Sequence, residues 1–307
     1  MTRSDDLSSP PRVLILGGTG MLGHQLWQAC RQRFDTYATV RSMERTAFRS
    51  VLGDTNHVIE GVTADRFDSV IEAVANIRPQ VIVNCIGIVK QQRLGHDPLA
   101  SLTVNALFPH QLSRLCRACG ARLIHISTDC VFSGRRGRYT EADMPDPEDL
   151  YGRTKLLGEV GDGGCLTLRT SMIGRELATS HGLIEWFLSR QGSQAPGYNQ
   201  AIFSGLTTQA LASVIVNVIA DHPTLEGLWH VAAEPIAKFD LLVLIRDRLS
   251  LEIHLVPDDR VVIDRSLDAS RFTQATGWSP PSWIEMIEEL AHDSTPYDDL
   301  RRNDAHR

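Results

Sequence analysis

The sequence lacks the features that mark secreted and membrane-spanning proteins. It has only six cysteines in 307 residues, spread along the chain, so we predict thiols in a reducing compartment rather than a disulfide framework. The longest apolar stretch, 210–220, is interrupted by Ser213 and Asn217 and is too short to span a bilayer. Residues 1–12 are polar and do not resemble a signal peptide. We therefore expect a cytoplasmic protein without a membrane segment.

The sequence also lacks a strong positive charge and metal-ligand spacing. Its 31 basic and 37 acidic residues leave a formal charge of -6, which provides no broad positive field for a phosphodiester backbone. Nucleic acid is therefore not an expected partner. The isolated His24, His125 and His181 have no ligand-spaced partners, so no metal site is predicted.

Short β-branched runs alternate with amphipathic segments in the first half of the chain. Strands are predicted at Val13–Leu16, Thr36–Val40, Val81–Cys85 and Leu123–Ile126, and helices at Leu22–Arg33, Phe67–Ile77 and Leu107–Cys119. Repeated strand–helix–strand units indicate an α/β protein with a Rossmann-type, doubly wound parallel sheet.

Glycine and proline become more frequent after Leu168, and the strand–helix alternation loosens. We predict a dinucleotide-binding domain over residues 1–170. Residues 171–307 should form mainly a smaller C-terminal α/β substrate lobe, with some segments returning to the first domain.

A glycine-rich turn follows the first predicted strand. Gly17, Gly20 and Gly23 are spaced G-x-x-G-x-x-G, and Thr19, Met21 and Leu22 lie between them. The first glycine permits a tight turn, the second lets the backbone approach a pyrophosphate, and the third allows close packing of the helix. The N-terminus of that helix can bind an anion, so these residues are predicted to bind a dinucleotide.

The end of the second strand bears on which dinucleotide is bound. An NAD site normally has a carboxylate there for the ribose hydroxyl, whereas this strand ends in Arg41, with Arg45 close behind. A guanidinium favours a 2′-phosphate. We therefore predict NADP, with NAD as the alternative, unless Arg41 is simply a solvated loop cation.

Two segments carry candidate chemistry. The run Ser127–Gly134, which includes Asp129, Cys130 and Phe132, follows a strand directly, where ligands bind in such sheets. Tyr151 and Lys155 are four residues apart and share one face of a predicted helix. The nearby ammonium is expected to favour the phenolate of Tyr151, which would make the phenol a usable acid.

Together these motifs resemble the extended short-chain dehydrogenases/reductases, and within them the dTDP-4-dehydrorhamnose reductases and related nucleotide-sugar reductases. The resemblance covers nearly the whole chain, and its other blocks are Val83–Cys85, Asn105, Leu168–Ser171, Phe203–Thr208, Gly227–Val231 and Ser266–Asp268. It implies NADPH-dependent reduction of a keto group on a nucleotide-linked deoxysugar. A homodimer is a further expectation.

The resemblance implies a role for each matching residue. Thr128 would hydrogen-bond the substrate carbonyl, Tyr151 would deliver the proton, and Lys155 would hold the nicotinamide ribose and lower the pKa of Tyr151. Asp65 and Cys85 would contact the cofactor. The substrate pocket would be formed by Thr128, Asp129, Cys130, Phe132, Met172 and Trp186. The chain departs from the reductases at Cys130, where they commonly have tyrosine, and we expect a pocket-lining thiol.

Two other functions remain open from the sequence. An epimerase or dehydratase of the same fold would keep its NAD and recycle the hydride, although a dehydratase should have more than one carboxylate beside Thr128. The second is a non-catalytic nucleotide-binding subunit, like the regulatory subunit of methionine adenosyltransferase, which resembles these reductases. The joint presence of Thr128, Tyr151 and Lys155 favours catalysis.

Overall fold

The computed structural model describes residues 10–43, 46–53 and 55–305. Its strands, in chain order from β1 to β14, are Arg12–Leu16, Asp35–Val40, Val58–Glu60, Val81–Asn84, Arg122–Thr128, Cys165–Thr170, Met172–Ile173, Gln194–Tyr198, Ala201–Phe203, Leu206–Thr207, Gly227–His230, Ile236–Ala237, His254–Asp258 and Ile263–Asp264.

The helices, in chain order from α1 to α12, are Met21–Cys30, Thr46–Leu52, Phe67–Ile77, Pro98–Ser101, Phe108–Cys119, Leu150–Leu157, Leu183–Leu188, Thr208–Asp221, Lys238–Arg248, Ser270–Thr276, Trp283–Ala291 and Tyr297–Ala305. A π-helical segment, Leu102–Leu107, lies between α4 and α5, and single 3₁₀ turns are at Thr55–His57, Arg93–His96 and Asp129–Val131.

Seven parallel strands form the central sheet, in the order β11-β6-β5-β4-β1-β2-β3. All six neighbouring pairs are parallel. The strand order reverses between β1 and β4, which is where ligands bind in open α/β sheets. The predicted Rossmann-type fold is therefore confirmed, and the carboxyl ends of β1, β4 and β5 define the edge at which a site is expected.

Side chains of the central strands alternate between two hydrophobic layers. In β1, Val13 and Ile15 join the layer that contains α1 and α8, whereas Leu14 and Leu16 join the layer that contains α3 and α5. A parallel sheet covered on both faces has strands that are apolar throughout, because both sides of each strand are buried. This explains why the strands read as continuous β-branched runs in the sequence.

The second half of the chain contributes both to the central sheet and to smaller ones. Strand β11 pairs with β6 at the edge of the central sheet, whereas β12, β9 and β14 form a separate three-stranded sheet. That small sheet contacts the loop that follows β5: the Asp264 N–H donates to the Gly134 carbonyl at 2.7 Å. The division at residue 170 into two domains stays a prediction.

Within the described ranges, no helix is both long enough and apolar enough to cross a bilayer. The same residues include no group of three or more His, Cys, Asp or Glu side chains arranged to hold a metal ion.

Candidate active site

The glycine turn between β1 and α1 depends on backbone close approaches. Gly17 has φ of +86°, which L side chains rarely adopt, and a Cβ there would lie 3.1 Å from the Ile86 side chain. A Cβ at Gly23 would overlap the Gly17 carbonyl. These two glycines therefore allow the chain to turn sharply and start a helix directly over the strand end.

Gly20 is less crowded than Gly17 and Gly23, because a Cβ there would make one tight contact and no overlap. The nearest atom would be the Gly17 carbonyl oxygen at 3.3 Å, and Gly20 is exposed. It precedes α1, and no side chain caps the N–H groups of that helix. An exposed glycine beside uncapped N–H groups suits the close approach of a pyrophosphate, so the turn from Gly17 through Thr19, Met21 and Leu22 to Gly23 fits a dinucleotide.

The other predicted cofactor residues lie along the same edge of the sheet. Cys85 follows β4 directly, and its N–H donates to the Leu16 carbonyl at 3.0 Å, next to the glycine turn. Arg41 follows β2 and is exposed, and its charge acts on the exposed Asp65 carboxylate. Arg45 lies outside the described residues. Contact of these side chains with a cofactor stays a prediction.

Two glycines allow helix α6 to pack closely on the turn after β5 and on the π-helical segment. A Cβ at Gly152 would overlap the Cys130 carbonyl, and one at Gly158 would overlap the carbonyl of Asn105 in the π-helical segment. The Asp149 carboxylate caps the helix by accepting the Gly152 N–H at 2.7 Å. These contacts fix the face of α6 that carries Tyr151 and Lys155.

The Tyr151 side chain lies near the end of β5, where Thr128 is close enough to act on its pKa. Burial raises the pKa of Tyr151 above its ordinary value. The Thr128 hydroxyl also accepts the Cys130 N–H at 3.1 Å and lies 3.2 Å from the Asp129 carboxylate. Thr128 and Tyr151, predicted from separate motifs, are thus brought together, with Tyr151 protonated at neutral pH.

Lys155 contacts the backbone of β5. Its ammonium donates to the Ile126 carbonyl at 2.6 Å, and burial lowers its pKa to about 8. The pKa of Tyr151 is raised by burial rather than lowered by Lys155. The pKa of Tyr151 is thus not lowered as the sequence led us to expect, because burial is the largest effect on it.

A buried ion pair joins Glu159, which follows α6, to Arg169 of β6. The Arg169 guanidinium donates two hydrogen bonds of 2.7 Å to the Glu159 carboxylate, which also accepts the Ser127 hydroxyl at 2.6 Å. Both partners are almost fully buried, so the pair is fully hydrogen-bonded in a medium where an unpaired charge would be costly. The Glu159 charge also raises the pKa of Lys155, which opposes the effect of burial.

The predicted pocket residues after Thr128 differ in accessibility. Asp129 is buried, which raises its pKa, and Cys130 is half-buried. Burial and the Asp129 charge raise the pKa of the Cys130 thiol to about 12, so it is neutral rather than an activated nucleophile.

Phe132 corrects another expectation. Its ring is fully buried, stacked on Tyr139 with centroids 4.2 Å apart, with the Arg169 guanidinium 5.3 Å from its centroid. The side chain therefore has no surface accessible to a ligand in this structure. Phe132 was predicted to line the pocket because of its place in the motif, but its ring packs in the protein interior against Tyr139.

Three cations near Cys130 were missed by sequence reasoning. Arg265 donates to the Phe132 carbonyl at 2.8 Å and reaches the Cys130 sulfur at 3.8 Å. Lys238 is half-buried, and its charge and those of Lys90 and Arg265 act on one another. No local pattern could reveal this group, because its members come from three distant segments.

Met172 and Trp186, the remaining predicted pocket residues, are both half-buried and pack against the larger hydrophobic layer. Met172 lies in β7, opposite Leu206 of β10. Trp186 lies on α7, with the Arg190 guanidinium 5.7 Å from its ring centroid. Their contact with substrate stays a prediction.

The fold and site define an extended short-chain dehydrogenase/reductase type of protein, and comparison with known proteins agrees. A family model described as RmlD substrate binding domain matches residues 11–295. The chain therefore belongs to the RmlD family of dTDP-4-dehydrorhamnose reductase-like proteins, and the predicted resemblance is confirmed.

Relatives in this family have different names. A dTDP-4-dehydrorhamnose reductase from Streptomyces griseus is 36% identical over 150 residues, or 48% of this chain and 44% of the relative. Methionine adenosyltransferase 2 subunit beta from Mus musculus is 34% identical over 148 residues, or 48% and 41%. The matched stretch thus spans less than half the length of these curated relatives.

A solved structure supports the fold over the whole chain. The crystal structure of dTDP-4-dehydrorhamnose reductase from Bacillus anthracis in complex with NADP has a TM-score of 0.75 and covers 92% of this chain and 99% of its own. At 22% identity, this likeness establishes the shared fold alone.

The exposed position of Gly20 gives a direct test of the glycine turn. Gly20→Val should leave a folded protein but abolish NADP(H) binding, because the branched side chain would occupy the space for the pyrophosphate. Gly23→Ala should instead lower the melting temperature, because its Cβ overlaps the Gly17 carbonyl. Nucleotide fluorescence titration and thermal unfolding separate the two effects, and unchanged affinity in Gly20→Val would remove the turn from the site.

Proposed function

We propose that this chain is an NADPH-dependent reductase that acts on a keto group of a nucleotide-linked sugar. The observation that carries the proposal is the convergence of Thr128, Tyr151 and Lys155 at the carboxyl end of β5, on the same edge of the sheet as the glycine turn. Fold similarity alone would not support an activity, because one fold serves many functions.

The protonation state of Tyr151 suits the reduction of a carbonyl. An acid that delivers a proton to a developing alkoxide must carry that proton at working pH, and the raised pKa of Tyr151 keeps the phenol neutral. The Thr128 hydroxyl, which lies near Tyr151, can also bind the substrate carbonyl oxygen. Two hydroxyls would thus orient the carbonyl, and the Tyr151 oxygen would transfer its proton to it.

The residues at the sheet edge suit a nicotinamide dinucleotide. The uncapped start of α1 would hold the pyrophosphate, and Arg41 would hold the 2′-phosphate that distinguishes NADP. When bound, the cofactor would supply the hydride. Lys155 shares the helix face of Tyr151, and its ammonium would hold the nicotinamide ribose. With a pKa of about 8, it is mostly charged at neutral pH.

The cations around Cys130 support an anionic substrate. Ala237 of β12 and Asp264 of β14 both pair with Ile202 of β9, so the next residues, Lys238 and Arg265, lie on either side of β9. Together with Lys90, they give an excess of positive charge over the single nearby carboxylate, Asp129.

Lys238 is the most informative of the three cations. Burial lowers its pKa, yet within the ranges that the structure describes its ammonium makes no hydrogen bond or ion pair. The Asp129 charge offsets part of the cost of burying this cation, and an anionic ligand would offset more of it. The diphosphate of a nucleotide sugar has the required charge.

An epimerase or dehydratase fits less well. A dehydratase should have an acid and a base carboxylate beside the threonine, and here Asp129 is the one carboxylate in the segment after Thr128. The exposed Arg41 after β2 favours NADP, whereas the epimerase and dehydratase alternative keeps NAD.

A non-catalytic subunit is the second candidate. It is favoured by the 34% identity to methionine adenosyltransferase 2 subunit beta, which is close to the 36% identity to the reductase. A binding module has no physical need for a protonated Tyr151 beside Thr128 and a charged Lys155. NADPH oxidation measured with a panel of keto-sugar nucleotides separates the two candidates.

The homodimer and the cytoplasmic location stay predictions. Several exposed leucines lie on α4, the π-helical segment and α6, and they are a surface to examine when oligomeric state is measured; they are Leu99, Leu102, Leu107 and Leu157.

Removing the Tyr151 hydroxyl tests the proposed proton donor. Tyr151→Phe should lower kcat by about 10²- to 10⁴-fold, the usual contribution of general acid catalysis, with little change in NADPH affinity. Single-turnover NADPH oxidation and cofactor titration measure the two quantities. Tyr37→Phe, a half-buried tyrosine of β2, is the control. If Tyr151→Phe retains more than about half the rate, the proton comes from another group.

Cofactor preference tests Arg41. Arg41→Asp should reverse the ratio of NADPH to NADH affinity, because the carboxylate repels a 2′-phosphate and can accept the ribose hydroxyl. Both affinities are measured by titration. Equal affinity of the wild-type protein for NADH and NADPH would show that Arg41 is only a surface cation.

The cationic group is tested by removing one charge at nearly constant shape. Lys238→Met should weaken nucleoside diphosphate binding by about 10- to 100-fold, as expected for loss of a charge-assisted hydrogen bond, and should reduce its salt dependence. Arg246→Met on the same helix is the matched control, because Arg246 forms an exposed pair with Asp247. Isothermal titration with UDP and dTDP gives the affinities, and an unchanged value in Lys238→Met would separate Lys238 from the substrate.

A further inference from the structure

A buried polar cluster joins the C-terminal segment of the chain to the glycine turn. The cluster consists of His24 and Gln25 on α1, Asp293 after α11, and Tyr297 at the start of α12. Both α1 side chains and Tyr297 are buried. One end of the cluster contacts the backbone of the turn itself, because His24 Nδ1 lies 2.8 Å from the Gly20 carbonyl oxygen.

The Gly20 contact fixes the tautomer of His24. A carbonyl only accepts hydrogen bonds, so Nδ1 must carry a proton and donate it. Burial lowers the pKa of His24, which favours the neutral ring and leaves Nε2 as an acceptor. The Tyr297 hydroxyl lies 2.8 Å from that nitrogen. The hydroxyl gives its one proton to Asp293, so the N–H that Nε2 accepts comes from Gln25, whose amide nitrogen lies 3.3 Å away. His24 therefore contacts the turn at one ring nitrogen and Gln25 and the Tyr297 hydroxyl at the other.

The Tyr297 hydroxyl is itself held on several sides. It donates its proton to Asp293 Oδ2 at 2.7 Å and accepts an N–H from Gln25 at 2.8 Å. Gln25 also donates to Asp293 at 2.7 Å, and Gln209 donates to the same carboxylate oxygen at 3.2 Å. The hydroxyl is thus fixed in position by α1, by α8 and by the segment that it belongs to.

The same C-terminal segment also holds a second loop beside the glycine turn. Arg301 donates two hydrogen bonds, of 3.1 and 2.6 Å, to the Glu176 carbonyl. The Glu176 carboxylate in turn accepts the N–H groups of His181 and Gly182 at 2.9 Å. The Cβ position of Gly182 lies 3.7 Å from the sulfur of Met21, the first residue of α1.

We propose that the C-terminal segment 293–301 is a positioning element of the cofactor site and that it acts on Gly20 through Tyr297 and His24. Gly20 has no side chain to restrain its peptide, and its φ of -72° and ψ of 167° lie outside the helix that follows. The hydrogen bond from Nδ1 holds its carbonyl toward α1. The N–H groups at the start of α1 then remain directed at the anion site without a loss of backbone freedom upon binding.

This inference rests on the proposed dinucleotide binding but not on the reaction catalysed. The reacting residues Thr128, Tyr151 and Lys155 are not part of the cluster. Loss of the Tyr297 hydroxyl should therefore change cofactor affinity and leave turnover at saturating cofactor intact, whereas a defect in the chemistry would do the opposite.

Two substitutions separate the steps of the link. Tyr297→Phe removes only the hydroxyl, and His24→Asn keeps an amide donor near the Nδ1 position while removing the Nε2 contact. Each should raise the Kd of NADP and NADPH by about 3- to 10-fold, which corresponds to one net hydrogen bond. kcat at saturating NADPH should be unchanged. The double variant should be no weaker than either single one, because both cut the same link.

Amide hydrogen exchange gives a readout that does not depend on activity. Without added nucleotide, Tyr297→Phe should exchange faster at Gly20 and at the start of α1, while Tyr37→Phe, the matched control, should not. Unchanged Kd in a folded Tyr297→Phe protein, or fully additive losses in the double variant, would overturn the proposal. If wild-type protein binds neither NADP nor NADPH, the proposed function fails instead.

Discussion

The close approach of helix α6 to the end of strand β5 is the constraint on which the candidate active site depends. A Cβ at Gly152 would overlap the Cys130 carbonyl just after β5, so glycine is needed for this approach, and Gly158, just after α6, allows a similar approach to the Asn105 carbonyl. Tyr151 precedes the first contact, and Lys155 lies between the two. The phenol consequently lies near Thr128, and the ammonium meets the Ile126 carbonyl, because backbone packing rather than a loop sets their positions.

Burial has opposite effects on the two titratable groups of this helix. It raises the pKa of Tyr151 and lowers that of Lys155, since in each case it disfavours the charged form. The result is a neutral acid beside a cation that is still mostly charged at neutral pH. The buried pair of Arg169 and Glu159 contributes to this balance, because the Glu159 charge partly opposes the loss of the Lys155 proton.

Overall similarity does not decide between a reductase and a regulatory subunit. The identities to the two named relatives differ by little, and both matches cover less than half of the relative. Local chemistry is more informative, because a hydride-transfer site needs an acid and a held cofactor, whereas a binding surface does not. Lys238 adds a second local criterion, since its half-buried ammonium makes no hydrogen bond or ion pair within the described residues, and Asp129 is the nearby carboxylate that acts on it.

The sequence by itself determined the Rossmann-type fold, the glycine turn and the Tyr151–Lys155 pair, because each is encoded by periodicity or spacing within a short segment. Only the tertiary structure decided which of the candidate side chains are buried and which charges lie close together. Phe132 packs inward on Tyr139, Lys238 and Arg265 meet Lys90 near Cys130, and Tyr297 reaches His24 from the far end of the chain. The physical reason is that burial and charge proximity depend on contacts between distant segments. Such contacts bury Tyr151 and raise its pKa, whereas the sequence led us to expect a lowered one.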